Sequence, residues 1–279
     1  MSDALRTVLA ALESDRVLDG PQRLRERIEA LDRLDALMPR AGDDALLQHA
    51  HTVRQRLEAA NALEFEAIRA AIWRGEGRYA LGCWRQAAGD DAQCRGDAYD
   101  WLDELVGGVL TFAEPDEASP LAPEMVFYQP TPARHVFDLL DRLALTGDDV
   151  LVDLGSGLGH VPLLTAICTE ACGLGVEIEP AYVASARACA QALRLANAHF
   201  ALGDAREANF AIGSVFYLYT PFTGTIMRGV LDALRREAVR RVFRVCSFGP
   251  CTAVLAAEPW LVGDAAPAAD RIAIFRTRA

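Results

Sequence analysis

The stretch Val150-Leu151-Val152-Asp153-Leu154-Gly155-Ser156-Gly157-Leu158-Gly159-His160 decides the fold class. Its first five residues are apolar except for Asp153 and read as a buried strand; three alternating glycines follow. A buried strand that runs into a glycine-rich turn and opens a helix is where an open α/β sheet holds its ligand. Glycine is needed there because the backbone turns sharply and must approach the ligand without a Cβ. A dinucleotide fingerprint requires glycine at 155, 157 and 160, but position 160 is His and the third glycine stands at 159. That spacing disfavours a nicotinamide-dependent oxidoreductase. Asp153 suits a cationic ligand better than a diphosphate.

Working outward, short β-branched runs alternate with helical patterns. The patterning predicts strands at 150–153, 174–178, 199–202, 215–219 and 241–248, with further strands at 261–262 and 271–277. Helices are predicted at 161–172, 181–196 and 224–238. Strands spaced by helices imply right-handed crossovers and a parallel sheet covered on both faces. Upstream, residues 1–112 read as all-α. Leu5, Val8, Leu9 and Leu12 form one stripe, and Leu24, Ile28, Leu31, Leu34 and Leu37 a second. A longer helix capped by Asp43 or Asp44 turns Leu47, Val53, Leu57, Leu63, Ile68 and Ile72 inward. Residues 113–132, rich in Pro and acid, are the expected linker and cofactor lid, and 133–279 the catalytic domain.

Composition narrows the class further. The 279 residues carry 28 basic side chains, all arginine, against 39 acidic ones, for a net charge of -11. This balance disfavours nucleic-acid and anionic-membrane binding, both of which run on phosphate neutralisation. No apolar run approaches the ~18 residues of a membrane span, so a cytoplasmic protein is expected. The seven cysteines form no CxxC pair and point to neither a disulfide framework nor a metal site. Cys168 and Cys172 are expected on one helix face; His49 and His51 point apart.

The glycine loop with its upstream acid resembles motif I of the class I S-adenosylmethionine-dependent methyltransferases. The resemblance spans roughly residues 126–279. It implies a Rossmann-like, mainly parallel seven-stranded sheet and S-adenosyl-L-methionine as cofactor. It implies that Asp153, Gly155, Gly157 and Gly159 hold the methionine end. The acid in Gly175-Val176-Glu177-Ile178-Glu179 would take the ribose, with Glu177 the better match and Glu179 the alternative. Asp204 of Gly203-Asp204-Ala205 would take the adenine amino group. DLGSGLGHV followed by GVE also resembles the non-SET histone-lysine methyltransferases, in which a Tyr and a Thr three residues apart precede motif I and help hold the cofactor; Tyr128 and Thr131 have that spacing. The chain departs from that family in having Thr220-Pro221-Phe222 where it has Asn, and in lacking a basic tail.

Thr220, Pro221 and Phe222 are similar to the [ND]PP[YF] motif of amino-group methyltransferases, where a side-chain oxygen and a backbone carbonyl orient the amine and an aromatic ring packs on it. They are the expected catalytic residues, and an amine nitrogen of a protein side chain or small molecule the favoured acceptor. Phe222 also reads as core, and Thr220-Pro221 as a plain turn. His160, at the helix start, reads either as a neighbour of the sulfonium or as solvated. The competing function is a non-catalytic, methyltransferase-like S-adenosylmethionine-binding or scaffold protein acting through its helices, which are also the expected surface for a homodimer.

Overall fold

The computed structural model describes residues 2–38, 44–87, 94–112 and 124–278. Residues 113–123 of the expected linker, and Asp43, lie outside them. Seven strands form one sheet: β1 (Val150–Leu154), β2 (Cys172–Glu177), β3 (Ala198–Leu202), β4 (Val215–Tyr219), β5 (Arg244–Phe248), β6 (Leu261–Gly263) and β7 (Ala273–Thr277). Their spatial order is β3-β2-β1-β4-β5-β7-β6. The first five run parallel, and β7 is antiparallel to both β5 and β6. Strand order reverses between β1 and β4, so the crevice at their carboxyl ends is the natural ligand position.

Side chains alternate across this sheet between two cores. Leu151, Val215, Tyr217, Cys246 and Phe248 face one; Val152, Phe216, Leu218 and Val245 face the other. Burial on both faces explains why these strands read as nearly continuous apolar runs. The first core is closed by α6 (Ala133–Leu143), α7 (His160–Cys168) and α8 (Pro180–Ala192), the second by α9 (Gly224–Ala238) and α10 (Cys251–Ala256).

Several expected boundaries shift for local reasons. Helix α7 stops at Cys168 because the Thr169 hydroxyl donates to Thr165 O and accepts from Ala171 N, drawing the chain out of the helix. Cys172 therefore begins β2, and the two cysteines do not share a helix face. Helix α8 ends at Ala192, before Arg194 enters the left-handed region at φ 59. Strand β5 starts at Arg244, since Arg241 folds back onto Glu237 and Phe210 O.

The amino-terminal helices are α1 (Ser2–Ser14), α2 (Leu24–Leu37), α3 (Asp44–Trp73), α4 (Gly77–Ala87) and α5 (Trp101–Val109). Leu5, Leu9, Leu34, Val53 and Leu57 form a core of their own among α1, α2 and α3. Leu63 is 69% exposed rather than inward, because the buried stripe passes through Leu57, Asn61 and Ile68 and leaves position 63 on the opposite face. Arg27 is fully buried inside this bundle, donating to Asn61, to the Leu18 and Gly20 carbonyls and to Glu64. Full burial of a guanidinium is tolerable because it is paired and fully hydrogen-bonded. By contrast α4 and α5 join the core of the sheet: Leu81, Trp84, Leu105 and Val106 pack with Val136, Leu140 and Leu164. Among the described residues no helix is long and apolar enough to cross a membrane.

Candidate active site

A cavity of about 840 Å³ opens at the carboxyl ends of the parallel strands, from β3 across to β5. Tyr128, Thr131, Asp153, Gly155, Glu177, Glu179, Asp204, Thr220, Pro221 and Phe222 all line it. Gly157 and Gly159, also expected to hold the ligand, do not.

The glycine loop is shaped from beneath as well as from the ligand side. Gly155 N and Ser156 N donate to Val176 O, which ties the loop to β2. Gly157 sits at φ 53, and a Cβ there would lie 1.9 Å from the Tyr128 ring. Gly155 sits at φ 84, and its Cβ would lie 2.3 Å from Pro221. These glycines are therefore required by protein packing, and the Tyr128 ring occupies the face of Gly157 that the sequence alone assigned to the ligand. The Tyr128 hydroxyl meets His160 Nδ1 at 3.0 Å and its ring lies 5.2 Å from that of Tyr182. Thr131, buried, bonds the Tyr217 hydroxyl at 2.8 Å.

Three carboxylates on the expected binding path are in different states. Glu177 is buried; its Oε2 accepts from Gly157 N at 2.8 Å, and its Oε1 from Ile178 N and Glu179 N. Asp204 accepts from the Arg206 guanidinium through both oxygens, and that hydrogen bonding holds its pKa below the ordinary value. Asp153 is 5% exposed and has no hydrogen-bond or ion-pair partner among the described residues. Burial, and then the charge of Glu177, push its pKa well above the usual carboxylate range. The Ser156 hydroxyl, from the same cavity wall, is likewise buried without a partner among the described residues. Unsatisfied polar groups of this kind are costly and in a cavity mark where a ligand completes them.

His160 is partly buried and lines the cavity. It packs against Phe112 at 4.7 Å between ring centroids, and burial lowers its pKa to about 4. Because the folded pKa lies below the unfolded value, the stability tied to neutral His160 is full above about pH 6.5 and is lost as pH falls toward 4. The loss amounts to roughly 3 kcal/mol at most. His160→Asn, which retains an acceptor for Tyr128, should flatten the fall of the melting midpoint across that window. An unchanged slope would assign the acid sensitivity to other groups.

The segment 124–131 is fastened over the loop after β4. Met125 pairs with Phe222, Val126 N donates to Pro221 O, and Thr223 N donates to Glu124 O. The Glu124 carboxylate caps α9 by accepting from Thr225 N and Ile226 N. The Pro221 carbonyl is thus engaged by this chain. Thr220 adopts φ 38, and its hydroxyl donates to Phe248 O while accepting from Cys251 N. It ties β5 to α10. Phe222 lines the cavity but is also buried in the second core.

Further residues line the cavity, of which Tyr217 and Tyr219 lie in the strand-end stretch 217–222 expected to meet the acceptor. Asp97 reaches the cavity from a connection far from the motifs, Tyr182 and Arg206 stand just after the acids that follow β2 and β3, and Tyr217 and Tyr219 line it because β4 ends at its centre. Five carboxylates (Asp97, Asp153, Glu177, Glu179 and Asp204) face one arginine, Arg206.

Residues 125–216 match the family described as Histone methylation protein DOT1. No curated protein matches the chain. An RNA methyltransferase from Salinibacter ruber, solved with S-adenosyl-L-homocysteine, aligns over 53% of this chain and 92% of its own at 27% identity, with a TM-score of 0.42. A precorrin-6y C5,15-methyltransferase from Geobacter metallireducens aligns over 57% and 92% at 16% identity, TM-score 0.39. An S-adenosylmethionine-dependent methyltransferase from Geobacter sulfurreducens, solved with S-adenosyl-L-homocysteine, aligns over 44% and 53% at 21% identity, TM-score 0.33. Sheet order and family match together give the carboxyl-terminal half of the chain the Rossmann-like fold of the class I S-adenosylmethionine-dependent methyltransferases.

Proposed function

We propose that this protein is a methyltransferase that binds S-adenosyl-L-methionine across the ends of β1, β2 and β3 and methylates an amine nitrogen. The observation that carries the reading is Asp153: a buried, unpartnered carboxylate beside the glycine loop, waiting for a cation. The α-ammonium of the cofactor answers that need. Glu177 has about four lone-pair positions and spends three on backbone N–H groups, so it retains roughly one for a ribose hydroxyl without rearranging. Asp204, at the far end, faces the adenine amino group while Arg206 keeps it ionised.

When bound, the cofactor supplies an electrophilic methyl group on a sulfonium. The protein's part is positioning, exclusion of water and charge. Segment 124–131 and its Tyr128 ring cover the methionine end. The amine preference rests on the acidic lining of the cavity, which favours a cationic acceptor over an anionic one. Thr220, whose hydroxyl is engaged by Phe248 and Cys251, acts by shaping the loop.

Titration calorimetry with S-adenosyl-L-homocysteine tests the reading. Micromolar binding is expected near neutral pH, weakened about tenfold or more when Asp153 is replaced by Asn, since the ammonium then loses its charged partner. Absence of binding at millimolar ligand would overturn it.

A further inference from the structure

The cavity has a wall that the cofactor assignment leaves unused. Asp97 lies on the connection between α4 and α5, far from every methyltransferase motif, yet lines the cavity together with Tyr219, Thr220 and Pro250. The connection carrying it is held from several sides. Cys94 Sγ meets His135 Nδ1 at 3.1 Å, and His135 Nε2 meets Gly96 O at 2.7 Å. Gly96 N donates to Asp270 O at 2.7 Å, and Arg134 donates to the carbonyls of Gly96 and Ala98. The Tyr99 hydroxyl donates to Pro130 O at 2.9 Å. Such bracing fixes the backbone that carries Asp97.

Among the described residues the carboxylate itself has no counter-ion within ion-pair distance. The arginines nearest in sequence are committed elsewhere, Arg95 to Asp270 and Arg134 to Asp100. Asp97 is exposed at the cavity mouth and makes no hydrogen bond among the described residues. Its field reaches two phenols: after burial, its charge is the next cause raising Tyr219, and it contributes to raising Tyr99. Tyr219 in turn is braced by Phe248, 4.8 Å away between centroids. A carboxylate on a braced backbone, lining the same cavity as a supported aromatic ring, is a combination that recognises an organic cation, by ion pairing and by cation–π attraction.

We infer that Asp97 and Tyr219 form the acceptor-recognition wall and select an alkylammonium group, so that the amino-terminal helical region sets substrate specificity. This rests on the methyltransferase reading of the same cavity. A neutral acceptor of the same shape gains no ion pair with Asp97, and an anionic one is repelled by it. Asp97 is a specificity residue here, not a proton carrier.

The test uses the full chain and analogues of S-adenosyl-L-homocysteine in which nitrogen replaces sulfur and bears an alkyl arm. One series ends in ammonium, a matched series in hydroxyl, over graded arm lengths. Calorimetry should show at least one ammonium arm binding about tenfold or more tightly than its hydroxyl counterpart, a preference that shrinks as salt is raised. Asp97→Asn should reduce the preference to about twofold or less while leaving the affinity for S-adenosyl-L-homocysteine and the melting midpoint unchanged. Equal binding of both series by the wild type, or a preference that survives in Asp97→Asn, overturns the inference while leaving cofactor binding intact. Failure of S-adenosyl-L-homocysteine itself to bind overturns the underlying reading. Displacement of the ammonium probe by a lysine-containing peptide identifies a protein side chain as the source of the cation, and displacement by a free aliphatic diamine a small molecule. A probe displaced by neither overturns the inference.

Discussion

Replacing Gly157 with Val should lower the affinity for S-adenosyl-L-homocysteine by more than about a hundredfold and destabilise the ligand-free protein as well. Two independent effects act. At φ 53 a β-branched residue carries backbone strain on the order of 1–3 kcal/mol. Its Cβ would also stand 1.9 Å from the Tyr128 ring, so the ring must leave the loop. Displacing it removes the contact with Tyr182 and the hydrogen bond to His160, and drives the aromatic side chain into the cavity. A total cost of roughly 2–5 kcal/mol is expected, read by denaturant melts of the ligand-free chain. Loss of binding with unchanged stability would restore the simpler view that the ligand itself needs the space at Gly157. Normal binding would show that the ligand lies elsewhere.

Glu177→Ala has the second largest expected effect. One carboxylate holds Gly157 N, Ile178 N and Glu179 N, joining the glycine loop of β1 to the turn after β2. Leaving a buried donor unsatisfied costs roughly 1–3 kcal/mol, with water in the cavity recovering part of it. The ligand-free protein should therefore lose about 2–4 kcal/mol, and cofactor affinity should fall about ten- to a hundredfold, by the missing ribose hydrogen bond and the loosened loop together. Glu179→Ala is the matched control: its side chain accepts from Ala181 N at the start of α8, and cofactor affinity should stay within about threefold. The reverse pattern, with Glu179 decisive and Glu177 silent, would sink the assignment of the ribose carboxylate.

What could be read in the sequence is what local periodicity and short-range chemistry encode. Residues 150–160 announced a strand, a glycine turn and a helix, and strand β4 and helix α9 begin and end where their apolar patterns do. Glu177 and Asp204 were singled out through the resemblance to the class I methyltransferases, and both stand at the carboxyl edge of the parallel sheet, lining the cavity. Helix ends were less legible: Thr169 ends α7 through its hydroxyl and Arg194 ends α8 through a left-handed turn, signals weaker than the hydrophobic stripes they interrupt.

Other features were decided by contacts between distant segments. Thr220 was read from the sequence as orienting an amine; Phe248 and Cys251 take its proton and one of its two lone pairs, a bracing role that only the tertiary structure supplies. Gly157 was read as room for a ligand, and Tyr128, from an upstream segment, fills that room. Asp97 had no signal at all, because its place depends on Arg134, His135 and Asp270 fixing one connection against the sheet. The order of apolar and polar residues along the chain determined the class of fold and the cofactor edge of the site. The opposite wall of the cavity is set by Asp97 on the connection before α5 and by the ends of β4 and β5, which meet only when the cores close, and only there is Asp153 buried and Asp97 brought to the cavity.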